Sequence, residues 1–521
     1  MLVSIGFPVE TAREVAMRMR WQRLPRGALI GPRGAAADSW CHVERGLVAS
    51  GVALRAGWQA EEPGASATGR VNQLYGRGAW FGEAALVEGL PRPFEYRTLA
   101  PSVIGFMAVR DFRAALADCP FFVRYLLNLV SHRAARTLQL LLALKHGSPF
   151  GRIACVLAHL CESLDESSAW SPAPAQSERV EVAAGQAELA QACDVSRTLL
   201  NSVLAALAAA GFVEVAYGRL TFLRCGAPPG RADACGRGVR CRSPARRHHR
   251  PARRWARTGL NRSLARWPNA WSASAWPRRR PPTSRRRAGP RGARPARRSN
   301  AVAAARAVWF LAEGVVSHQV RLRKGGAAAV VSLYGAGTLF NQQQALFDLP
   351  NAVDTVAVTP VALLGIEVAA YRALIEREPA FLRAMLSVTA HRATRLSEAV
   401  AAFKHGAPAF RVAFVLSHFA LAFDPSCGFT GRNPARATAE IVLPASLSVL
   451  ASMANVSRSA LGVVLRELSG AGFVGRSARG ALRIERRAAW LGLRQRLQAE
   501  ATLPARASCA ELIEVLRLAQ G

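Results

Sequence analysis

The sequence predicts an α+β protein made of two copies of one unit: a β-roll (double-stranded β-helix), a long helix and a winged helix-turn-helix. Three observations predict this. First, residues recur at a constant offset of 259: Tyr75-Gly76 returns as Tyr334-Gly335, Phe81 as Phe340, Pro120 as Pro379, His132-Arg133 as His391-Arg392, and Lys145-His146-Gly147 as Lys404-His405-Gly406. Second, residues 145–160 and 404–419 share nine identities in 16 positions. Unrelated sequence would share about one, so an internal duplication is expected. Third, each copy passes from short β-like runs broken by Gly and Pro to a helical run free of both, then closes on two short apolar helices joined by a tight turn.

Taken in order, residues 1–118 hold an expected helix over Val9 to Arg20 and, from Leu24, the first roll. Its strands are read from GALIGPRG, CHVERGLVASGVAL, RVNQLYGRGAWFGEAALV and SVIGFMAV. Residues 119–147 form the long helix. There Leu127, Val130, Ala134, Thr137, Leu141 and Leu144 alternate steps of three and four, the spacing of a seam between two helices. Residues 148–225 hold the first winged helix-turn-helix. Leu189, Val195, Leu200, Leu204 and Leu207 face inward, and small Ala190 sits where the helices cross. Asp194 takes the turn position that demands positive φ, and Ser196 N-caps a helix starting at Arg197.

The second copy comprises a truncated roll over 301–377, starting abruptly near Val308, and a second seam helix over 378–406. That seam reads Leu386, Thr389, Ala393, Leu396, Val400 and Phe403. A second winged helix-turn-helix with further C-terminal helices fills 407–521. Here the motif repeats at an offset of 261, with Asn455 at the turn and Val456-Ser457-Arg458 for Val195-Ser196-Arg197.

Between the copies, residues 226–300 contain 22 Arg against one acid, Asp233. With no apolar periodicity the segment is expected to be disordered. Three readings stay open: a nonspecific nucleic-acid arm, its Arg on phosphates and Trp255, Trp267, Trp271 and Trp276 stacked on bases; a passive linker; or GC-rich coding sequence read out of frame. The formal charge of the whole chain is +35, a balance that suits a polyanionic partner. No uninterrupted apolar run reaches about 18 residues, so no membrane span is expected. With no secretory leader over Met1 to Arg26 and ten cysteines in no regular framework, a cytoplasmic location is expected. There is no phosphate loop, nucleophile elbow or paired carboxylate setting, so no catalytic residue is expected. Cys155, Cys161 and Cys193 read as core thiols. The recurring His132, His146 and His159 (His391, His405 and His418 in the second copy) lack partners at metal-ligand spacing.

The stretches GRGAWFGEAALVEGLPRP at 76–93 and ELAQACDVSRTLLNSVLAALAAAGFV at 188–213, in the order roll, seam helix, winged helix-turn-helix, resemble the Crp/Fnr family of bacterial transcription regulators. The resemblance implies a cyclic-nucleotide-binding-like sensor roll, a dimerisation helix and a head that binds promoter DNA, with double-stranded DNA and RNA polymerase as partners. It also implies that Gly82 and Glu83 would cradle the ribose of a cyclic nucleotide and Arg92 its phosphate. Arg92, however, is followed by Pro93, which offers no N–H to a phosphate. The second copy has Asn341-Gln342 for Gly82-Glu83, and Leu349, Pro350 and Asn351 where the Arg should be. No cofactor is therefore expected, a cyclic nucleotide remaining open in the first copy alone.

The candidate DNA-contacting residues are Ser196, Arg197, Thr198, Asn201, Ser202 and the wing residue Arg219 in the first copy. In the second they are Ser457, Arg458, Ser459, Gly462 and the wing residues Arg476 and Arg479. An Arg at the start of a recognition helix grips guanine O6 and N7 bidentately, worth about 1–3 kcal/mol of discrimination. The family's Glu and second Arg are replaced by Thr198 and Ser202, and by Ser459 and Val463, so its usual half-site is not expected. A coil of about 75 residues reaches roughly 50 Å, enough for the copies to pair within one chain as a pseudo-dimer; a homodimer is the other arrangement. Two competing readings remain: a non-DNA-binding allosteric or interaction protein with degenerate helix-turn-helices, and a spurious fusion of two adjacent regulator genes.

Overall fold

The computed structural model describes residues 9–54, 70–163, 179–216, 218–223, 292–293, 307–321, 328–347, 353–422, 441–443, 445–477, 480–499, 502–504 and 506–519. Arg479 and, except for Gly292 and Ala293, the expected disorder of 226–300 lie outside these residues.

The first half runs α1 (Val9–Met17), β1 (Met19–Leu24), β2 (Leu29–Gly31), β3 (Ser39–Arg45), β4 (Val48–Leu54), β5 (Arg70–Tyr75), β6 (Trp80–Phe81), α2 (Glu83–Glu88), β7 (Glu95–Thr98), β8 (Ser102–Ala108), α3 (Val109–Asp118), α4 (Pro120–His146), α5 (Pro149–Ser163), β9 (Arg179–Val182), α6 (Gln186–Cys193), α7 (Arg197–Ala209), β10 (Val213–Ala216) and β11 (Arg219–Leu223). The chain resumes with β12 (Gly292–Ala293), β13 (Ala307–Glu313), β14 (Val316–Arg321), β15 (Ala328–Tyr334), β16 (Thr338–Phe340), α8 (Gln342–Phe347), β17 (Asp354–Ala357), β18 (Val361–Glu367), α9 (Val368–Arg377), α10 (Pro379–His405) and α11 (Pro408–Ala422). It ends with β19 (Ile441–Leu443), α12 (Leu447–Ala454), α13 (Arg458–Gly470), β20 (Val474–Arg476), β21 (Leu482–Ile484), α14 (Arg487–Ala499), β22 (Thr502–Leu503) and α15 (Cys509–Leu518).

This is a mixed helix and sheet fold whose sheets are antiparallel apart from one short pairing. In the first roll, β1-β8-β3-β6 face β2-β7-β4, with β5 beside β4. Inward residues Val43, Val48, Tyr75, Phe81, Tyr96 and Ile104 form the apolar filling, as alternation along strands requires. The helix expected over Val9 to Arg20 stops at Met17. Met19–Leu24 instead pair with Ser102–Met107 at the sheet edge, so those backbone groups bond β8 rather than a helical turn. Trp21 lies opposite Gly105, where any Cβ would collide with its ring.

The second roll has sheets β12-β18-β13-β16 and β15-β14-β17. Gly292 and Ala293, from the stretch expected to be a disordered linker, pair with Ala362 and Val361. They occupy the same edge that β1 covers in the first roll.

Helices α4 and α10 each span 27 residues, each begins with Pro in its first turn, and each stops before a Gly, the punctuation a helix prefers. They pack against each other. Leu127, Val130 and Ala134 share one buried cluster with Leu386, Ala390 and Ala393. Arg124 near the start of α4 pairs with Glu376 just ahead of α10 at 3.3 Å. Lys145 at the end of α4 lies 5.1 Å over the Phe403 ring at the end of α10. The two helices therefore run parallel.

The C-terminal helices α14 and α15 extend the second half. Trp490 is fully buried, and its Nε1 donates to the carbonyls of Phe473 and Glu485, both at 3.2 Å. Beyond α14, β22 pairs in parallel with β4 of the first roll, Thr502 opposite Ala53. Among the described residues no single helix is long and apolar enough to cross a membrane.

Candidate nucleic-acid interface

Each half ends in the same local arrangement. Helices α6 and α12 stop at Asp194 (φ 52°) and Asn455 (φ 51°), in the left-handed region, where Asp and Asn are tolerated best among residues with a Cβ. Ser196 then N-caps α7, its hydroxyl accepting from Leu199 N at 3.2 Å. Ser457 N-caps α13 by accepting from Ala460 N at 3.1 Å. Leu189, Ala190, Leu200 and Leu204 are buried beneath the first head, and Leu450, Ala451, Leu461 and Leu465 beneath the second. The two turns are braced alike from the preceding helix: Arg152 pairs with Asp194 at 3.0 Å, and Arg411 donates to Asn455 O at 3.1 Å.

This packing turns the first residues of α7 and α13 to solvent. Ser196, Arg197, Thr198 and Ser202 are exposed, as are Ser457, Arg458 and Ser459. The Ser202 hydroxyl donates back to Leu199 O at 2.8 Å, which leaves its lone pairs outward. Asn201 is drawn in, half-buried, with an Oδ1 that has no hydrogen-bond partner among the described residues. At the matching position Gly462 leaves open space, since a Cβ there would meet nothing within 4 Å. One step on, Val463 is 47% exposed. Arg458 is held by its own head, donating to Ser448 Oγ. On the wings, Arg219 pairs with Glu181 at 3.0 Å, both half-exposed, a contact of small net worth that a phosphate can displace. Arg476 is exposed and donates to Gly480 O at 2.9 Å.

The residues put forward for an effector sit apart from the heads. Gly82, with φ 94°, precedes α2. Glu83 and Arg92 are each 2% exposed. Glu83 accepts from Arg133 of α4, which also donates to Trp80 O, while Arg92 reaches out to Asp38. The carboxylate that would hold a ribose and the guanidinium that would hold a phosphate thus each have an ionic partner. In the second half Gln342 accepts from Arg392 at 2.8 Å, and Arg392 donates to Leu339 O at 2.6 Å. Glu83 Oε2 and Arg92 Nη1 are buried with no hydrogen-bond partner among the described residues, whereas the second half has no carboxylate at Gln342. Among the described residues no group of three or more His, Cys, Asp or Glu could hold a metal ion. Cys41, Cys155 and Cys193 are buried, and burial pushes the thiols of Cys41 and Cys193 up to about 12.

Sequence reasoning missed Arg133 and Arg392, which recur but carry no motif, and it saw Lys145 and Lys404 merely as repeated letters. Lys145 Nζ donates to Met453 O at 2.8 Å, and Lys404 Nζ donates to Ala192 O at 3.0 Å. Glu88, to which the resemblance assigns no role, accepts from Thr394 Oγ1 at 2.6 Å and meets His391 Nδ1 at 2.8 Å.

No family model matches the chain, and no curated protein does. Solved structures do. The c-di-GMP responsive global regulator CLP of Xanthomonas campestris is 19% identical over 42% of this chain and 99% of its own, with a TM-score of 0.29. FixK2 from Bradyrhizobium japonicum is 14% identical over 40% of this chain and 93% of its own, with a TM-score of 0.31. A CRP-family transcriptional regulator from Thermus thermophilus is 22% identical over 39% of this chain and 91% of its own, with a TM-score of 0.26. At such identities and scores these likenesses carry no argument about activity.

Proposed function

We propose that the chain is a DNA-binding transcriptional regulator of Crp/Fnr type, a tandem duplication whose halves act as an intramolecular pseudo-dimer on promoter DNA in the cytoplasm. The observation that carries this reading is the pair of capped helices, α7 and α13, each opening on an exposed Arg one residue after its Ser cap. In a helix-turn-helix that first turn enters the major groove. The shared apolar seam of α4 and α10 supports pairing inside one chain. The heads then read differently: Arg197, Thr198 and Ser202 offer charge and hydroxyls, whereas Arg458, Ser459, Gly462 and Val463 offer one charge, a bare backbone and an apolar patch that suits a thymine methyl. An asymmetric operator follows, with Arg219 and Arg476 positioning on phosphates and RNA polymerase as the partner for regulation.

The roll works without a nucleotide in this reading, because Glu83 and Arg92 are engaged elsewhere. Titration with cyclic AMP or cyclic GMP is expected to give no heat; submillimolar binding would restore an effector to the first roll. DNA binding is tested by fluorescence anisotropy with duplexes tiled across the region upstream of the protein's own coding sequence. One or more duplexes are expected to bind with affinity that falls steeply as salt rises. No preference among the duplexes, or weak salt-insensitive binding to all, would favour an interaction protein with degenerate helix-turn-helices.

A further inference from the structure

The lysines that close the two long helices are buried, and each reaches into the other half. Lys145, in the last turn of α4, donates to Met453 O at 2.8 Å; Lys404, in the last turn of α10, donates to Ala192 O at 3.0 Å. Met453 and Ala192 occupy the same place in their motifs, one residue from the end of α12 and α6. Carbonyls of a last helical turn lack intrahelical partners and carry the negative end of the helix dipole, so an ammonium suits both positions. A contact in which each half gives the same donor and receives at the same acceptor is what a two-fold interface produces.

The position of this contact matters. Two residues after each accepting carbonyl comes the left-handed turn residue, Asp194 or Asn455, and two residues later the Ser that caps the recognition helix. The pin therefore grips the head at the pivot of its helix-turn-helix. Lys404 makes two more ties, donating to Val71 O at 2.9 Å and to Asn72 O at 3.5 Å, both on β5, while Val71 N donates to Gln191 Oε1 of α6 at 3.3 Å. Burial is unfavourable for both ammonium groups: it pushes Lys145 down to about 7 and Lys404 down to about 8. An unbranched apolar side chain would fill the same space without that cost. What lysine supplies here is a directed donor.

We propose that Lys145 and Lys404 are crossed pins, each fixing the angle of the opposite half's head, so that the placement of the two recognition helices is set by the pairing of α4 with α10. The regulatory meaning of the pins rests on the DNA-binding reading; their geometry does not.

Hydrogen exchange of the full chain without DNA, read by mass spectrometry, tests this. Lys145→Met is expected to speed exchange about tenfold, the loss of one charged hydrogen bond, in residues 447–457 while leaving 186–196 at the wild-type rate. Lys404→Met is expected to do the opposite, speeding 186–196 and sparing 447–457. Lys145→Arg and Lys404→Arg, which keep a donor, should stay near wild type. Should one Met variant fail to fold, the other decides alone. A change confined to the variant's own half, equal changes in both heads, or none overturns the proposal. A crossed pattern in a protein that binds no duplex would keep the pins and sink the regulator reading. Duplex binding with an uncrossed pattern would do the reverse.

Discussion

At the joint between roll and long helix, the two halves hold one geometry with different charge. In the first, Glu83 accepts from Arg133, which stacks 5.6 Å over Tyr75. In the second, Gln342 accepts from Arg392, which stacks 5.7 Å over Tyr334. The joint thus survives without the ion pair, and the ion pair is an addition of the first half. The same half also extends Glu88 to His391 and Thr394 of α10, whereas the residue in register with Glu88 is Phe347, which has no carboxylate to offer. The first roll is therefore tied by charge to both long helices.

The largest expected effect follows from that contrast. Glu83→Leu takes the carboxylate away from Arg133, whose side chain is only 14% exposed, and is expected to cost about 3 kcal/mol. Gln342→Glu gives Arg392 a charged acceptor and is expected to stabilise by about 1 kcal/mol, the difference between a charged and a neutral hydrogen bond. Urea unfolding of both variants checks the signs. Destabilisation of similar size by both would erase the distinction between the halves.

Next, Arg197→Ala and Arg458→Ala are each expected to weaken binding to the preferred duplex at least tenfold, about 1.4 kcal/mol. Each should also lower the salt slope by about one. Anisotropy titrations at several salt concentrations measure both quantities, and an effect in one head alone would mean the other does not engage DNA.

A smaller effect is set by acid. Burial lowers His42 to about 4 and His132 to about 3 in the first half. In the second it lowers His318 and His405 to about 3, His418 well below its ordinary range, and His391 despite Glu88. Their folded pKa values lie below the unfolded value of about 6.5. The unfolded chain thus binds more protons below that point, and stability is lost as pH falls from about 6.5 toward 4. With four such imidazoles against two among the described residues, the second half is expected to open first in pulse-labelling exchange at pH 5.

The smallest effect concerns the caps. Ser196→Ala is expected to cost about 1 kcal/mol. Ser457→Ala should cost less, because Ser459 Oγ lies 2.9 Å from Ser457 Oγ and can take over part of the capping. Thermal unfolding compares the two.

Much of this was legible in the residues. Helical spacing marked the seam, and Asp194, Asn455, Ser196 and Ser457 announced their backbone roles because turns and caps are settled within four residues. What escaped was nonlocal. Met19 and Arg20 read as the end of a helix because nothing nearby reveals the β8 edge with which Met19–Leu24 pair. The partners of Glu83 and Arg92 are set by packing of the roll on α4 and on the β3 edge, and the acceptors of Lys145 and Lys404 lie in the opposite half. The pairing of β22 with β4 involves two residues from each strand, too few to leave a pattern.

In the proposed assembly one chain presents both recognition helices to one operator. Mass photometry of the complex with a bound upstream duplex of about two helical turns tests it most directly. One 55.9 kDa chain per duplex, with half-saturation moving to higher protein as salt rises from roughly 50 to 200 mM, is the predicted result. Two chains on each duplex would contradict it.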